Sequence, residues 1–137
     1  MNLQRFIDAQ NDNYATALEE IKNGRKKSHW IWYIFPQIDG LGMSTISKMY
    51  SIKDIEEARA YVNNELLYSH LIEITEVLLN LNTNNIEDIM DEPDDLKLRS
   101  CMTLFSIVTD NPIFDEVLKK YFDGIKDDKT LILLKKI

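Results

Sequence analysis

The chain has 137 residues, of which 45% are hydrophobic and 28% are charged, and its formal net charge is −7. This composition argues against a disordered chain, and no apolar stretch reaches the ~18 residues of a membrane-spanning helix. The acidic balance argues against nucleic acid as a partner, because nucleic-acid-binding domains need clustered cations. The single cysteine, Cys101, excludes a disulfide scaffold and a cysteine metal site. We expect a cytoplasmic protein, since the N-terminal residues become charged too soon for a signal peptide.

The N-terminal region, residues 3–23, predicts two helices. Phe6 opens the first helix, and Asp12 is placed to cap the second. Gly24 fits the left-handed backbone position at which helices commonly end.

Residues 28–35 are aromatic and β-branched, a pattern that suits a buried strand at least as well as a buried helix. A strand needs a partner, however, and the only other alternating segment is residues 131–137. Ser28 as an N-cap and Pro36 as a terminator favour a helix. Because this segment is apolar on all sides, we expect it to lie at the centre of the fold.

The middle of the chain also carries helical signals. Gly40 and Gly42 mark a loop, after which Ser44 or Thr45 can begin a helix, and residues 54–62 predict a short amphipathic helix. The clearest helical pattern is a stripe of apolar residues spaced three or four positions apart, namely Leu67, Leu71, Ile74, Leu78 and Leu81.

Two prolines, Pro93 and Pro112, each predict the start of a further helix, because proline lacks the N–H group that is unpaired in a first turn anyway. Ser100, Thr103 and Ser106 recur every third residue on the first of these helices. A polar stripe of this kind can line a pocket, but we expect this one to face water.

The elements together predict an all-α fold. We expect a single compact multihelical domain over residues 1–137, with about seven or eight short helices and at most a vestigial pair of strands. The apolar residues 131–134 close the chain as a last short element. The residues that we expect to be buried in the core are Leu71, Ile74, Leu78, Met102 and Phe105.

A basic triplet, Arg25-Lys26-Lys27, precedes the predicted 28–35 helix. The unpaired N–H groups of a helix that begins at Ser28, together with these three cations, would attract a phosphate or carboxylate. We therefore predict a candidate anion site formed by Arg25, Lys26, Lys27 and the Ser28 amide region. The alternative is that the cations are solvated loop residues without a ligand.

The same segment offers further ligand contacts. Trp30 or Trp32 would stack on a flat group, and His29 or Gln37 would make polar contacts with it. His29 has no carboxylate within five residues to orient it, so a hydrogen-bonded core role is more typical for it than acid–base catalysis. The only other histidine, His70, is far along the chain and indicates a surface or interface residue. We therefore predict no metal site and no cofactor.

Two motifs resemble a known family. Residues 24–37 read Gly-Arg-Lys-Lys-Ser-His-Trp-Ile-Trp-Tyr-Ile-Phe-Pro-Gln, and residues 93–100 read Pro-Asp-Asp-Leu-Lys-Leu-Arg-Ser. Over nearly its whole length the chain resembles the bacterial "domain of unknown function 1810" family. The resemblance implies a small, mainly α-helical domain and implies no established activity, cofactor or catalytic residue. Some members are labelled calpastatin, a largely unfolded protease inhibitor, and the packed-domain composition of this chain argues against that role.

We expect a ligand-binding helical domain that accepts a small anionic molecule, bearing a phosphate or a carboxylate, near the start of the 28–35 helix. Whether the domain is also an enzyme stays open. The alternative is a protein-interaction or homodimerisation module with the aromatic run as its core. Single-strand nucleic-acid binding is a minor third reading because of the acidic charge. Burial of Trp30 and Trp32 would favour the interaction module, and a half-open ring beside a cleft would favour the ligand site.

Overall fold

The computed structural model describes residues 2–135 and is 66% helical. In chain order, the α-helices of this part of the chain are α1 (Gln4–Lys22), α2 (Ile31–Ile34), α3 (Thr45–Met49), α4 (Ile55–Asn63), α5 (Glu65–Leu79), α6 (Asp94–Val108), α7 (Ile113–Phe122) and α8 (Asp128–Lys135). A 3₁₀ turn, Ile86–Asp88, precedes α6. Within residues 2–135, strand-like pairing is limited to one parallel bridge between Ile38 and Ile52. The all-α prediction is confirmed.

Side-chain caps fix the starts of three consecutive helices. Ser44 accepts a hydrogen bond from the Ser47 N–H at 3.1 Å at the start of α3. Asp54 and Asn64 accept equivalent bonds at the starts of α4 and α5. Each cap satisfies an N–H group that has no partner inside the helix. The predicted helix starts at Ser44 and Asp54 are therefore confirmed.

The first helix is continuous, so the prediction of two helices with a cap at Asp12 is wrong. Asp12 lies exposed within α1. The buried face of α1 passes through that position without a break, and its members are Phe6, Gln10, Tyr14, Ala17 and Ile21. Burial of this face outweighs the local preference of Asp12 for a cap. Gly24 has a φ of +80° and ends the helix region as predicted.

The predicted helix over residues 28–35 is wrong in extent, because α2 covers only Ile31–Ile34. Trp30, not Ser28, precedes the first helical residue, and no side chain caps this end. Ser28 lies in a bend that is held by hydrogen bonds to α1, described below. The expectation of a central position is correct, since α2 packs between α1 and α6.

The helices share one hydrophobic core. α6 packs against α2, α4, α7 and α8, and α5 packs against α1, α4 and α7. All five predicted core residues are at most 1% exposed: Leu71, Ile74, Leu78, Met102 and Phe105. None of the helices in the described part of the chain combines the length and the apolar content that crossing a bilayer requires.

The polar stripe on α6 does not face water as predicted. Thr103 is fully buried, donates to the Arg99 carbonyl at 2.8 Å and accepts the Asp127 N–H at 2.9 Å. Ser100 is buried and donates to the Leu96 carbonyl at 3.0 Å. Thr103 is covered because α8 and the residues that lead into it pack on α6. Hydroxyl groups can enter this contact because the backbone satisfies their hydrogen bonds.

Truncation of the α5 core should be costly. Ile74→Ala removes buried methyl and methylene groups and leaves a cavity, so we expect it to lower the free energy of unfolding by about 2–5 kcal/mol. Leu66→Ala, on the same helix at a residue that is 39% exposed, serves as the control and should cost much less. Urea unfolding measures both, and a loss of only ~0.5 kcal/mol for Ile74→Ala, typical of surface positions, would contradict the placement of α5.

Candidate functional site

The bend before α2 is organised by one carboxylate, that of Glu20 on α1. Glu20 Oε1 accepts the Lys27 N–H at 2.7 Å, the Ser28 N–H at 2.9 Å and the Trp30 indole N–H at 2.9 Å. Glu20 Oε2 accepts the Ser28 hydroxyl. The protein therefore supplies its own anion to the donors that the sequence analysis assigned to a ligand.

These bonds change the acid–base behaviour of Glu20. Partial burial alone would raise the pKa of its carboxyl, but the bonds from Ser28, Lys27 and Trp30 outweigh that effect and lower the pKa to about 2. Glu20 is therefore ionised at neutral pH and keeps the Ser28 amide and hydroxyl occupied. The predicted role of Ser28 as a helix cap that presents free N–H groups to an anion is wrong.

Two of the three predicted cations are also occupied. The Arg25 guanidinium lies 2.8 Å from a carboxylate oxygen of Asp91 and donates to the Glu87 carbonyl at 3.0 Å. The Lys26 side chain is only 6% exposed, and its ammonium group lies 2.8 Å from Asp94. It also lies 5.0 Å from the centroid of the Trp30 ring. Arg25 and Lys26 thus attach the bend to the segment that leads into α6.

Lys26, Lys27 and His29 do share a surface depression of about 310 Å³. The acidic residues of its lining are Asp91, Glu92 and Asp94. Three carboxylates against two lysines give this depression a negative balance at neutral pH. That balance disfavours an anionic ligand at this side of Pro93.

A larger cleft of about 460 Å³ lies on the other side of Pro93, between the loop after Gln37 and the first turns of α6. The polar residues of its lining are Gln37, Ser44, Ser47, Lys97, Ser100 and Lys129. The lining contains no carboxylate among the described residues. The charge of this cleft is therefore positive, whereas that of the neighbouring depression around Lys27 is negative, although Pro93 lines both.

The two tryptophans have different environments. Trp30 is 1% exposed and belongs to the core, whereas Trp32 is partly buried. Trp32 lines a small cavity that shares Gln37 and Ser47 with the larger cleft. The Lys97 ammonium lies 5.9 Å from the centroid of the Trp32 ring. Of the predicted contact residues, the structure therefore brings Gln37 into the lining of the cleft and places Trp32 in the small adjoining cavity. The others lie outside the lining of the cleft, namely Arg25, Lys26, Lys27, Ser28, His29 and Trp30.

The loop over the cleft depends on a glycine. A Cβ atom on Gly42 would lie 2.4 Å from the Ser47 Cβ, which is too close for any side chain. Gly42 therefore lets the loop fold directly onto α3. Nothing in the sequence indicates that Lys97, Ser47 and Lys129 meet at one cleft, because they lie on three separate helices and no local motif connects them.

The second histidine, His70, is partly buried and makes its side-chain contacts with α1. The His70 ring stacks on Tyr14 with 3.7 Å between centroids, and its Nδ1 atom lies 2.8 Å from Gln10 Oε1. The Gln10 amide donates to the Tyr33 carbonyl, so its oxygen accepts from the His70 Nδ1–H. Burial lowers the pKa of His70. No group of three His, Cys, Asp or Glu side chains within residues 2–135 is arranged to hold a metal ion.

Loss of the Glu20 charge should destabilise the protein in a pH-dependent way. We expect Glu20→Gln to lower the free energy of unfolding by about 1–3 kcal/mol at pH 7, because four charge-assisted hydrogen bonds are weakened. The folded-state pKa of about 2 lies below the ordinary value of 4.5. The stabilisation is therefore complete above about pH 4.5 and is lost as the pH falls towards 2.

Urea unfolding at several pH values measures this effect, with Glu19→Gln as the matched control on an exposed neighbour. The difference between Glu20→Gln and wild type should shrink as the solution becomes acidic. Equal stability of the two variants at pH 7 would show that Glu20 does not organise the bend.

The fold agrees with a solved structure. The chain superposes with a TM-score of 0.95 on the crystal structure of the conserved hypothetical protein Rv1873 from Mycobacterium tuberculosis. The two sequences are 44% identical, and the match covers 97% of this chain and 96% of that one. A comparison with curated proteins gives no match.

The family assignment rests on the sequence and on this structural likeness together. The family model described as "Protein of unknown function (DUF1810)" matches residues 1–134. The motifs at residues 24–37 and 93–100 lie within that match, and the Lys26–Asp94 ion pair joins them in space. The chain therefore belongs to the DUF1810 family of proteins of unknown function.

Proposed function

We propose that this protein binds a small anionic molecule in the cleft between the Gln37–Ser47 loop and α6. The observation that carries the proposal is the charge of the lining, which among the described residues includes two lysines and no carboxylate. The chain as a whole has 23 acidic against 16 basic residues. A cleft with only cations on a negative protein attracts and retains an anion more strongly than the surrounding surface does.

Neither lysine of the cleft is neutralised by a close carboxylate of the described chain, so both can attract an anionic ligand. The Lys97 ammonium lies 3.9 Å from Asp94, at the outer limit of an ion pair, and the other oxygen of Asp94 is engaged by Lys26 at 2.8 Å. Lys129 is exposed on α8 and forms no ion pair with the described residues. Two lysines from different helices thus line one cleft without a close carboxylate partner. An anion between them would gain charge-assisted hydrogen bonds from both.

The uncharged residues of the cleft lining suit the non-ionic part of such a ligand. Gln37 presents a side-chain amide without a hydrogen-bond partner among residues 2–135, and Met43 and Leu96 add apolar surface at the rim. A volume of about 460 Å³ falls within the ~300–1,000 Å³ of typical small-molecule sites. The ligand that we propose therefore combines one anionic group with an apolar part of metabolite size.

A homodimer or a protein partner is the second candidate, and one observation favours it. Met43 is 83% exposed and Leu96 is 48% exposed at the rim of the cleft, where an associating surface would cover them. A stable interface buries roughly 800 Å² on each partner, much more than two side chains provide. We therefore place the small-molecule function first.

We also infer a bacterial cytoplasmic protein, since the similar structure is mycobacterial and Cys101 is a buried free thiol.

The proposal predicts which lysines matter for binding. A thermal-shift screen of phosphate- and carboxylate-bearing metabolites should raise the melting temperature for some of them. For those compounds, we expect Lys97→Gln and Lys129→Gln each to raise the Kd about tenfold or more, which corresponds to the ~1.5–3 kcal/mol of a charged hydrogen bond. Isothermal titration calorimetry measures the change.

Lys22→Gln is the matched control, because Lys22 is an exposed lysine at the end of α1, outside the cleft lining. It should leave the Kd unchanged. Binding that is insensitive to both Lys97→Gln and Lys129→Gln would contradict the proposed site. Light scattering distinguishes the second candidate, since a dimer that Leu96→Ser converts to a monomer would favour association.

A further inference from the structure

We infer that the anionic group bound in the cleft is a phosphate monoester rather than a carboxylate. This inference rests on the proposed function and narrows it to one class of ligand. The described residues of the lining include no arginine, although the planar fork of arginine is the side chain that best matches the two oxygens of a carboxylate. The cations present are Lys97 and Lys129, which act as point charges on two different helices. Their combined charge of two matches the ~−1.5 to −2 of a phosphate monoester at neutral pH.

One hydroxyl group of the cleft, that of Ser47, can serve as a further hydrogen-bond donor to the ligand. The Ser44 hydroxyl donates to Ser47 Oγ at 2.8 Å, and the Ser100 hydroxyl donates to the Leu96 carbonyl. Their protons are therefore already in use. Ser47 Oγ accepts the bond from Ser44, and its own proton has no acceptor among residues 2–135. Ser47 can thus donate a hydrogen bond to a ligand while Ser44 holds its oxygen in place.

The backbone N–H groups of the Gln37–Ser47 loop are further hydrogen-bond donors. Leu41, Gly42 and Met43 all line the cleft, and within the described chain their N–H groups donate to no protein acceptor. Gly42 itself adds no side chain, and the Ser47 side chain packs directly against its backbone. A phosphate group offers three oxygens with several acceptor positions, so it can use two ammonium groups, one hydroxyl and backbone N–H groups at once. A carboxylate has too few oxygens in one plane to use such a dispersed set.

Two probes with the same phenyl ring and different anionic groups show whether the cleft prefers a phosphate or a carboxylate. Titration of the full chain at pH 7.5 with phenyl phosphate and with benzoate should give a Kd for phenyl phosphate on the order of tenfold lower, because the dianion meets two lysines. Ser47→Ala should raise the Kd for phenyl phosphate several-fold and leave the Kd for benzoate unchanged. Ser69→Ala, an exposed serine on α5, is the control and should change neither.

The pH dependence gives an independent readout. The described lining contains no histidine and no carboxylate, so between pH 7.5 and 5.5 the ligand is the titrating partner within the cleft. The second pKa of a phosphate monoester is about 6, so binding of phenyl phosphate should weaken over this range while that of benzoate stays nearly constant.

The outcomes distinguish this inference from the proposed function. Benzoate binding as tightly as phenyl phosphate, with both sensitive to Lys97→Gln, would overturn the phosphate inference and leave the proposed anion site standing. Absence of binding by either probe at millimolar concentration would overturn both. Tighter binding of phenyl phosphate that depends on Lys97, Lys129 and Ser47 would support the inference.

Discussion

The arrangement of the helices around the candidate site depends on the carboxylate of Glu20. A glutamate near the C-terminal end of a helix is unfavourable for the helix dipole, yet here it accepts four hydrogen bonds from the segment that follows. Those bonds fix the bend before α2, bury Trp30 and turn Lys26 towards Asp94. Because Asp94 begins α6, the same chain of contacts sets the position of Lys97 beside the cleft. One ionised side chain therefore connects α1 to the candidate site.

The sequence predicted the helices well where a local signal and the tertiary structure agree. The stripe on α5 has helical spacing and is buried, and the caps at Ser44 and Asp54 act locally. Two local signals were misleading because distant contacts outweighed them. Asp12 has the chemistry of a cap, but the buried face of α1 continues past it. Ser28 also has that chemistry, but its hydrogen bonds are directed to α1.

The candidate site was predictable only in part. The sequence correctly indicated a cluster of donors around Ser28 that would bind an anion. It could not show that the anion is a side chain on the preceding helix, since an internal carboxylate and a ligand satisfy the same donors. Lys97 and Lys129 become neighbours of one cleft only through the packing of α6 and α8. No spacing rule links residues so far apart in sequence, and a net negative chain gives no reason to expect a positive cleft.

The most direct test of this account is the pKa of the Glu20 carboxyl in the folded protein, measured by NMR from the pH dependence of its side-chain ¹³C shift. We expect a pKa of about 2, because the four hydrogen bonds favour the ionised form. A value near the ordinary ~4.3 of a glutamate would contradict it. In that case the donors of Lys27, Ser28 and Trp30 would not be held by Glu20, and the bend would again be open to an external anion.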